Sequence, residues 1–380
     1  MAPEIDASYH VLAARYFRKQ AKQLRGQLDG IRRAEDIEPV HRARVASRRL
    51  RAAMQMFGNC FDARDLKRWR KRIRRVTNDL GEARDKDVQI EYLCEALESI
   101  ERPACFPGVT RLTARLQRRR DRLQPAVVKA VERLQASEVL GEILSAAKKV
   151  LSKSNAESVD LAGPFALTET RRHILRRLDE MLAHQDSLAD AEADQRHHEM
   201  RIAAKRLRYT LEISGPVYGG QLDETIVAIK RVQSLLGEIH DCDVWLQQLE
   251  AYAKGQRQRI VKHYGNAGPF AGVQVGIEYL RQQRRSQRER AFGQLVDFWQ
   301  ELEQRKTWEA LAATVGSDGQ RPAESQPLES EPPESQLSAT RSADAGRKVV
   351  ARSGTADDHA PRDNPTREPH PPATKQLESR

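Results

Sequence analysis

A cationic motif occurs twice in this chain, and that duplication limits the possible folds more than any other feature. The first copy runs from His41 through Arg44 and Arg48 to Arg51. The second runs from His198 through Arg201 and Lys205 to Arg208. Both read H-x-x-R-[VI]-A-x-[RK]-R-L-R, 157 residues apart. A second motif follows each copy. Leu80-Gly81-Glu82-Ala83-Arg84-Asp85-Lys86-Asp87-Val88 returns 156 residues later as Leu236-Gly237-Glu238-Ile239-His240-Asp241-Cys242-Asp243-Val244. Two ordered motif pairs at nearly one spacing record an internal duplication. The repeated chemistry is cationic, which points to an extended polyanion.

The charge balance agrees. The chain of 380 residues carries a net charge of +11. Its last 65 residues hold 9 Lys+Arg against 11 Asp+Glu, leaving +13 on residues 1–315. Such an excess attracts nucleic acid, anionic lipid or polyphosphate. Aromatic residues make up only 5%, too few for a reader of stacked single-stranded bases. The four cysteines form no C-x-x-C pair and have no histidines at zinc-finger spacing, so reduced thiols in a cytoplasmic protein are expected. No segment approaches the length of apolar chain that spans a membrane, and no signal peptide opens the sequence.

The periodicity predicts an all-α protein. Ala, Leu, Arg, Glu, Gln and Lys dominate, and no stretch alternates with period two. Helices are expected over about 8–28, 39–58, 62–80, 83–101, 108–136 and 137–151, then 166–186, 192–214, 220–236, 241–257 and 270–312. Residues 152–165 read as a linker between halves 1–151 and 166–315. From Gly316 to Arg380 the chain holds nine of its seventeen prolines and no aromatic, and a disordered tail is expected.

On a helical wheel His41, Arg44, Arg48 and Arg51 share one face, opposite Ala43, Ala46, Leu50, Ala53 and Met54. His198, Arg201, Lys205 and Arg208 repeat the arrangement opposite Met200, Ala203, Leu207 and Leu211. Solvated helix faces usually mix charges, because like charges at i,i+4 repel. Between His41 and Arg51 there is no acid at all. Acids on a neighbouring helix or an anionic ligand must offset that repulsion. Further arginine stripes occur at Arg111, Arg115, Arg118, Arg119 and Arg122, and at Arg281, Arg284, Arg285 and Arg288. The repeated acids Asp85, Asp87, Asp241 and Asp243 could orient arginines or hold a divalent metal, and Asp85 and Asp241 could instead cap helices; orienting arginines is the expected role, with no metal. Gly81 and Gly237 are expected in left-handed turns that end the preceding helices. No glycine-rich phosphate loop or nucleophile-base constellation points to catalysis.

These residues resemble the CHAD family, the conserved histidine α-helical domain. The resemblance covers about residues 5–310. It implies two pseudo-symmetric helical bundles around a central basic channel, and a non-enzymatic protein that binds inorganic polyphosphate without a cofactor. The implied contacts are His41, Arg44, Arg48, Arg51, His198, Arg201, Lys205 and Arg208, with Arg115, Arg118, Arg119, Arg284, Arg285 and Arg288. Family members locate to polyphosphate granules, so a cytoplasmic protein associated with such granules is expected. An RNA- or DNA-binding protein, or an accessory factor for polyphosphate-metabolising enzymes, is the alternative. Many relatives carry an N-terminal triphosphate tunnel domain with an E-x-E-x-K signature; no such signature occurs in this sequence, and hydrolytic activity from that module is not expected.

Overall fold

The computed structural model describes residues 6–154 and 156–316. The expected disordered tail lies outside them, except for Gly316. Among the described residues the regular structure is helical, with no strand, so the fold is all-α. The first repeat supplies α1 (Ser8–Arg33), α2 (Glu38–Met56), α3 (Ala63–Asp79), α4 (Gly81–Glu98), α5 (Phe106–Ala136) and α6 (Val139–Lys153). The second supplies α7 (Pro164–Leu182), α8 (Asp194–Ser214), α9 (Asp223–Tyr264), α10 (Ala271–Gln304) and α11 (Thr307–Gly316). None of these helices is long and apolar enough to cross a membrane.

Local chemistry sets many of the boundaries. The Asp62 carboxylate accepts from the amides of Arg64 and Asp65 and starts α3. Pro39, Pro107 and Pro164 sit in the first turns of α2, α5 and α7, where no helical amide is lost. Pro125 lies inside α5, which continues through it. The N-terminal segment ties the repeats together. Asp6 accepts from the Phe165 amide and Ser8 from the Ala166 amide, so both cap α7.

The duplication is visible residue by residue. Glu138 before α6 and Lys306 before α11 both adopt a left-handed backbone, at φ 53° and 51°. Gly108 and Gly276 meet where α5 crosses α10. A methyl group on Gly108 would overlap the Val273 carbonyl, and one on Gly276 would overlap the Cys105 carbonyl. Both pairs lie 168 residues apart, against 157 and 156 for the two earlier motifs, because α9 runs further than α4 before the chain turns.

Two expectations about the second repeat are corrected. Segments 220–236 and 241–257 form one helix, α9, and Gly237 sits in its interior rather than in a left-handed turn. Its apolar neighbours Leu235, Leu236 and Ile239 are buried, and their packing outweighs the roughly 1 kcal/mol cost of a helical glycine. The segment 270–312 is split at Lys306 into α10 and α11.

Neither repeat has a core of its own. A large apolar cluster draws on α1, α2, α3, α6, α7, α8 and α11, and on parts of α4, α5, α9 and α10. It includes Phe17, Leu50, Trp69, Leu207, Leu236 and Trp299. A smaller cluster joins α4 and the first half of α5 to the second half of α9 and the start of α10. Its members include Leu93, Val109, Leu249 and Ile277. Each buried side chain of this size contributes about 1.5–3 kcal/mol. Four helices run from one cluster to the other. The stretches between hold Arg84 to Gln89 on α4, Arg115 to Gln124 on α5, His240 to Asp243 on α9 and Arg281 to Arg288 on α10. The second motif of each repeat therefore falls in a polar belt between two apolar cores.

Candidate functional site

The two basic helices α2 and α8 pack against each other and bring their stripes together at this belt. All eight stripe residues are half-buried. Arg48 of the first copy and Arg201 of the second both act on Lys205: burial first, then these two charges, push its ammonium down to about 8. Arg51 also contributes to that field. Arg44 lies beside Arg48, Arg84 and Asp85. One cleft thus gathers cations from both repeats.

Arg44 is held in an unusual way. Its Nη1 donates to the Thr77 carbonyl at 2.9 Å. Its guanidinium also lies over Gly81, where a methyl group would stand 2.9 Å from Nη1. Gly81 is therefore small to admit Arg44, and it opens α4 instead of occupying a left-handed turn. A side chain lodged at the helix junction accounts for the break between α3 and α4. At Gly237 a methyl group would meet nothing within 4 Å, and α9 runs through.

The histidines enter the same cleft from the starts of α2 and α8. His198 and His240 face one another, Nδ1 to Nδ1, at 3.2 Å. In the first repeat the position of His240 is taken by Arg84, whose charge acts on His41. Burial, then neighbouring cations, lowers the pKa of all three, that of His240 to about 4. Each imidazole is neutral at pH 7 and is left able to donate or accept.

The acids divide into two classes. Asp87 binds Arg120 at 2.6 Å and Asp243 binds Arg288 at 2.5 Å, equivalent pairs in the two repeats. Asp85 and Asp241 instead face the cleft. Lost hydration raises the Asp241 pKa, Arg201 and Arg284 lower it, and Asp85 raises it. The alternative role of helix caps is corrected: Asp85 lies past the first turn of α4 and Asp241 in the middle of α9. Among the described residues no group of three or more His, Cys, Asp or Glu is arranged to hold a metal ion.

Several expected contact residues are already engaged. Arg288 also reaches Asp194 and the Ala191 carbonyl. Arg208 lies 3.5 Å from Glu212, Arg119 2.7 Å from Glu82 and Arg285 3.6 Å from Glu278. Arg284 is buried, with its guanidinium 3.3 Å above the Tyr92 ring. By contrast, among the described residues no carboxylate lies within 4.0 Å of Arg44, Arg48, Arg51, Arg201 or Lys205. Arg48 Nε, Arg84 Nη1, Arg115 Nη1 and Arg201 Nε are buried without a hydrogen-bond partner there. Arg115 and Arg118 lie instead in a flanking groove of about 630 Å³, with Arg111, Arg122, Lys86 and Arg259. Sequence reasoning missed Arg120, Arg84 and His240. The 156-residue offset could have found the last two.

The CHAD domain family profile matches residues 15–250. An uncharacterised protein of Mycobacterium tuberculosis (strain CDC 1551 / Oshkosh) is 25% identical over 218 residues, 57% of this chain and 41% of that protein. An uncharacterised protein of strain ATCC 25618 / H37Rv is 24% identical over the same extent. The chain spans about two fifths of the length of these relatives. The crystal structure of the CHAD domain from the plant Ricinus communis shares the fold, with a TM-score of 0.54 at 20% identity over 83% of this chain and 94% of that one. With a family match over more than half its length, this chain belongs to the CHAD domain family.

Proposed function

We propose that this protein binds inorganic polyphosphate in the cleft between α2 and α8, without acting on it chemically. The observation that carries the reading is the set of half-buried cations without acid partners: Arg44, Arg48, Arg51, Arg201 and Lys205. Leaving a buried polar group unpaired costs about 1–3 kcal/mol. Phosphate oxygens would satisfy these groups, and arginine's planar fork suits them bidentately. Polyphosphate supplies such oxygens at every unit along a flexible chain and needs no aromatic platforms. Membership of a family linked to polyphosphate binding supports the same ligand. The neutral histidines offer further donors, and they can take up a proton when an anion arrives. Association with polyphosphate granules in the cytoplasm follows from this reading.

A binding isotherm for long-chain polyphosphate at two salt concentrations tests it. Each neutralised phosphate contributes about 0.7 to the slope of log K against log salt by analogy with single-stranded nucleic acid. Five cleft cations then give a slope of roughly −3.5. Preferential binding of RNA in direct competition at equal charge would overturn the assignment. Phosphate release on adding Mg²⁺ or Mn²⁺ would overturn its non-catalytic part.

A further inference from the structure

The two flanks of the cleft have diverged in charge. The 168-residue offset that pairs Gly108 with Gly276 and Arg120 with Arg288 sets the register between α5 and α10. The contact of Arg119 with Glu82 confirms it, because Gln287 meets Glu238 at the equivalent place. In that register Arg111, Arg115, Arg118 and Arg119 of α5 correspond to Tyr279, Gln283, Ser286 and Gln287 of α10, while Arg122 corresponds to Arg290. The first-repeat groove therefore holds seven Lys or Arg against one acid, Glu82. A hollow beside the start of α10, of about 570 Å³, is lined by Tyr279, the counterpart of Arg111, and holds only Arg102 and Glu278 as charged groups.

The remaining cations on α10 do not restore the balance. Arg281 and Arg285 share Glu278, Arg284 stacks on Tyr92, and Arg288 is bound by Asp243 and Asp194, which leaves Arg290, the counterpart of Arg122, as the one α10 cation with neither an ion-pair partner nor a stacking ring among the described residues. On α5, Arg111, Arg115, Arg118 and Arg122 have no ion-pair partner among the described residues. The groove also joins the cleft electrically. Lys86 in the groove interacts with Asp85, which in turn interacts with Arg44. The opposite end of the stripe leans to the same repeat. Arg51 meets the fields of Arg70 and Arg74 on α3, a helix with eight Lys or Arg, whereas the aligned start of α9 has only Lys230 and Arg231.

We propose that a long polyanion leaves the shared cleft over the first repeat alone, along the α5 groove, and that Arg111, Arg115, Arg118 and Arg122 make the protein selective for long chains. The proposal rests on the polyphosphate reading above and adds a path and a length preference to it. Tripolyphosphate fills only the cleft, whereas a long chain continues into the groove.

Titrating tripolyphosphate and long-chain polyphosphate into the full chain and two variants tests it. R115Q/R118Q removes two exposed or half-buried groove charges. R102Q/R281Q removes two from the other flank. Loss of the groove charges should weaken long-chain binding about tenfold and reduce its salt slope by about 1.4. Tripolyphosphate binding should stay within twofold, which also reports an intact fold. R102Q/R281Q should leave both ligands within twofold. Equal losses of long-chain affinity in both variants would overturn the one-sided path. So would an unchanged affinity in R115Q/R118Q. Failure of the unaltered protein to bind either phosphate overturns the polyphosphate reading itself.

Discussion

The guanidinium of Arg44 on α2 rests against Gly81 at the start of α4, where an added methyl group would stand 2.9 Å from Nη1 and push that flexible end aside. The glycine in the equivalent place, Gly237, has open space around it. Gly81→Ala should push Arg44 out of the cleft and weaken polyphosphate binding about threefold to tenfold, since a charge-assisted contact is lost. Gly237→Ala should leave affinity unchanged and stabilise α9 by about 0.5–1 kcal/mol. Calorimetric titration and thermal unfolding of the two variants check the contrast.

Lys205 gives a pH signature. Its folded pKa of about 8 lies below the ordinary value of 10.5, through burial and then the charges of Arg201 and Arg48. Between those values the unfolded chain holds a proton that the folded chain has released, so this group's contribution to stability rises with pH across that window. Lys205→Met should stabilise the ligand-free protein at pH 7 by about 1 kcal/mol, and the advantage should shrink from pH 8 and vanish by pH 10.5. The same variant should bind polyphosphate about tenfold more weakly. Denaturant unfolding across pH, with the unaltered protein alongside, measures both trends.

Arg44 and Arg201 occupy equivalent places on the two copies of the motif. If one polyanion spans both, Arg44→Ala with Arg201→Ala should weaken long-chain binding more than either single change. About tenfold per position is the expected scale. A double variant with unchanged affinity in direct titration would argue against the cleft.

The arginines held by acids have a different task. Arg288 is bound by Asp243, Asp194 and the Ala191 carbonyl, and Arg120 by the buried Asp87. Arg288→Ala and Arg120→Ala each strand a carboxylate between the two cores, at about 3 kcal/mol. Urea unfolding should show this loss without phosphate present. A cost below 1 kcal/mol would mean that the belt does not depend on these pairs.

The helical class and the duplication were legible in the chain itself. Periodicity and repeated motifs are local properties, and they survive without knowledge of contacts. The basic faces of α2 and α8 could be drawn from the angular spacing of His41 to Arg51 and His198 to Arg208. The fate of each cation could not. Arg48 and Arg288 look alike on a wheel, yet Arg48 Nε is buried without a partner while Arg288 meets acids from two other helices. The continuity of α9 was hidden for the same reason. Gly237 and Gly81 are identical in motif, and only the arrival of Arg44 from another helix distinguishes them.

By itself, the sequence determined which helix faces are basic, that they come in two copies, and that both copies precede an acid-bearing motif. Tertiary structure alone decided that the two faces share one cleft, which arginines are neutralised, and that one flank stays basic while the other does not. The physical reason is that charge pairing and burial depend on distance through space, and the partners that decide them lie tens to more than a hundred residues away along the chain.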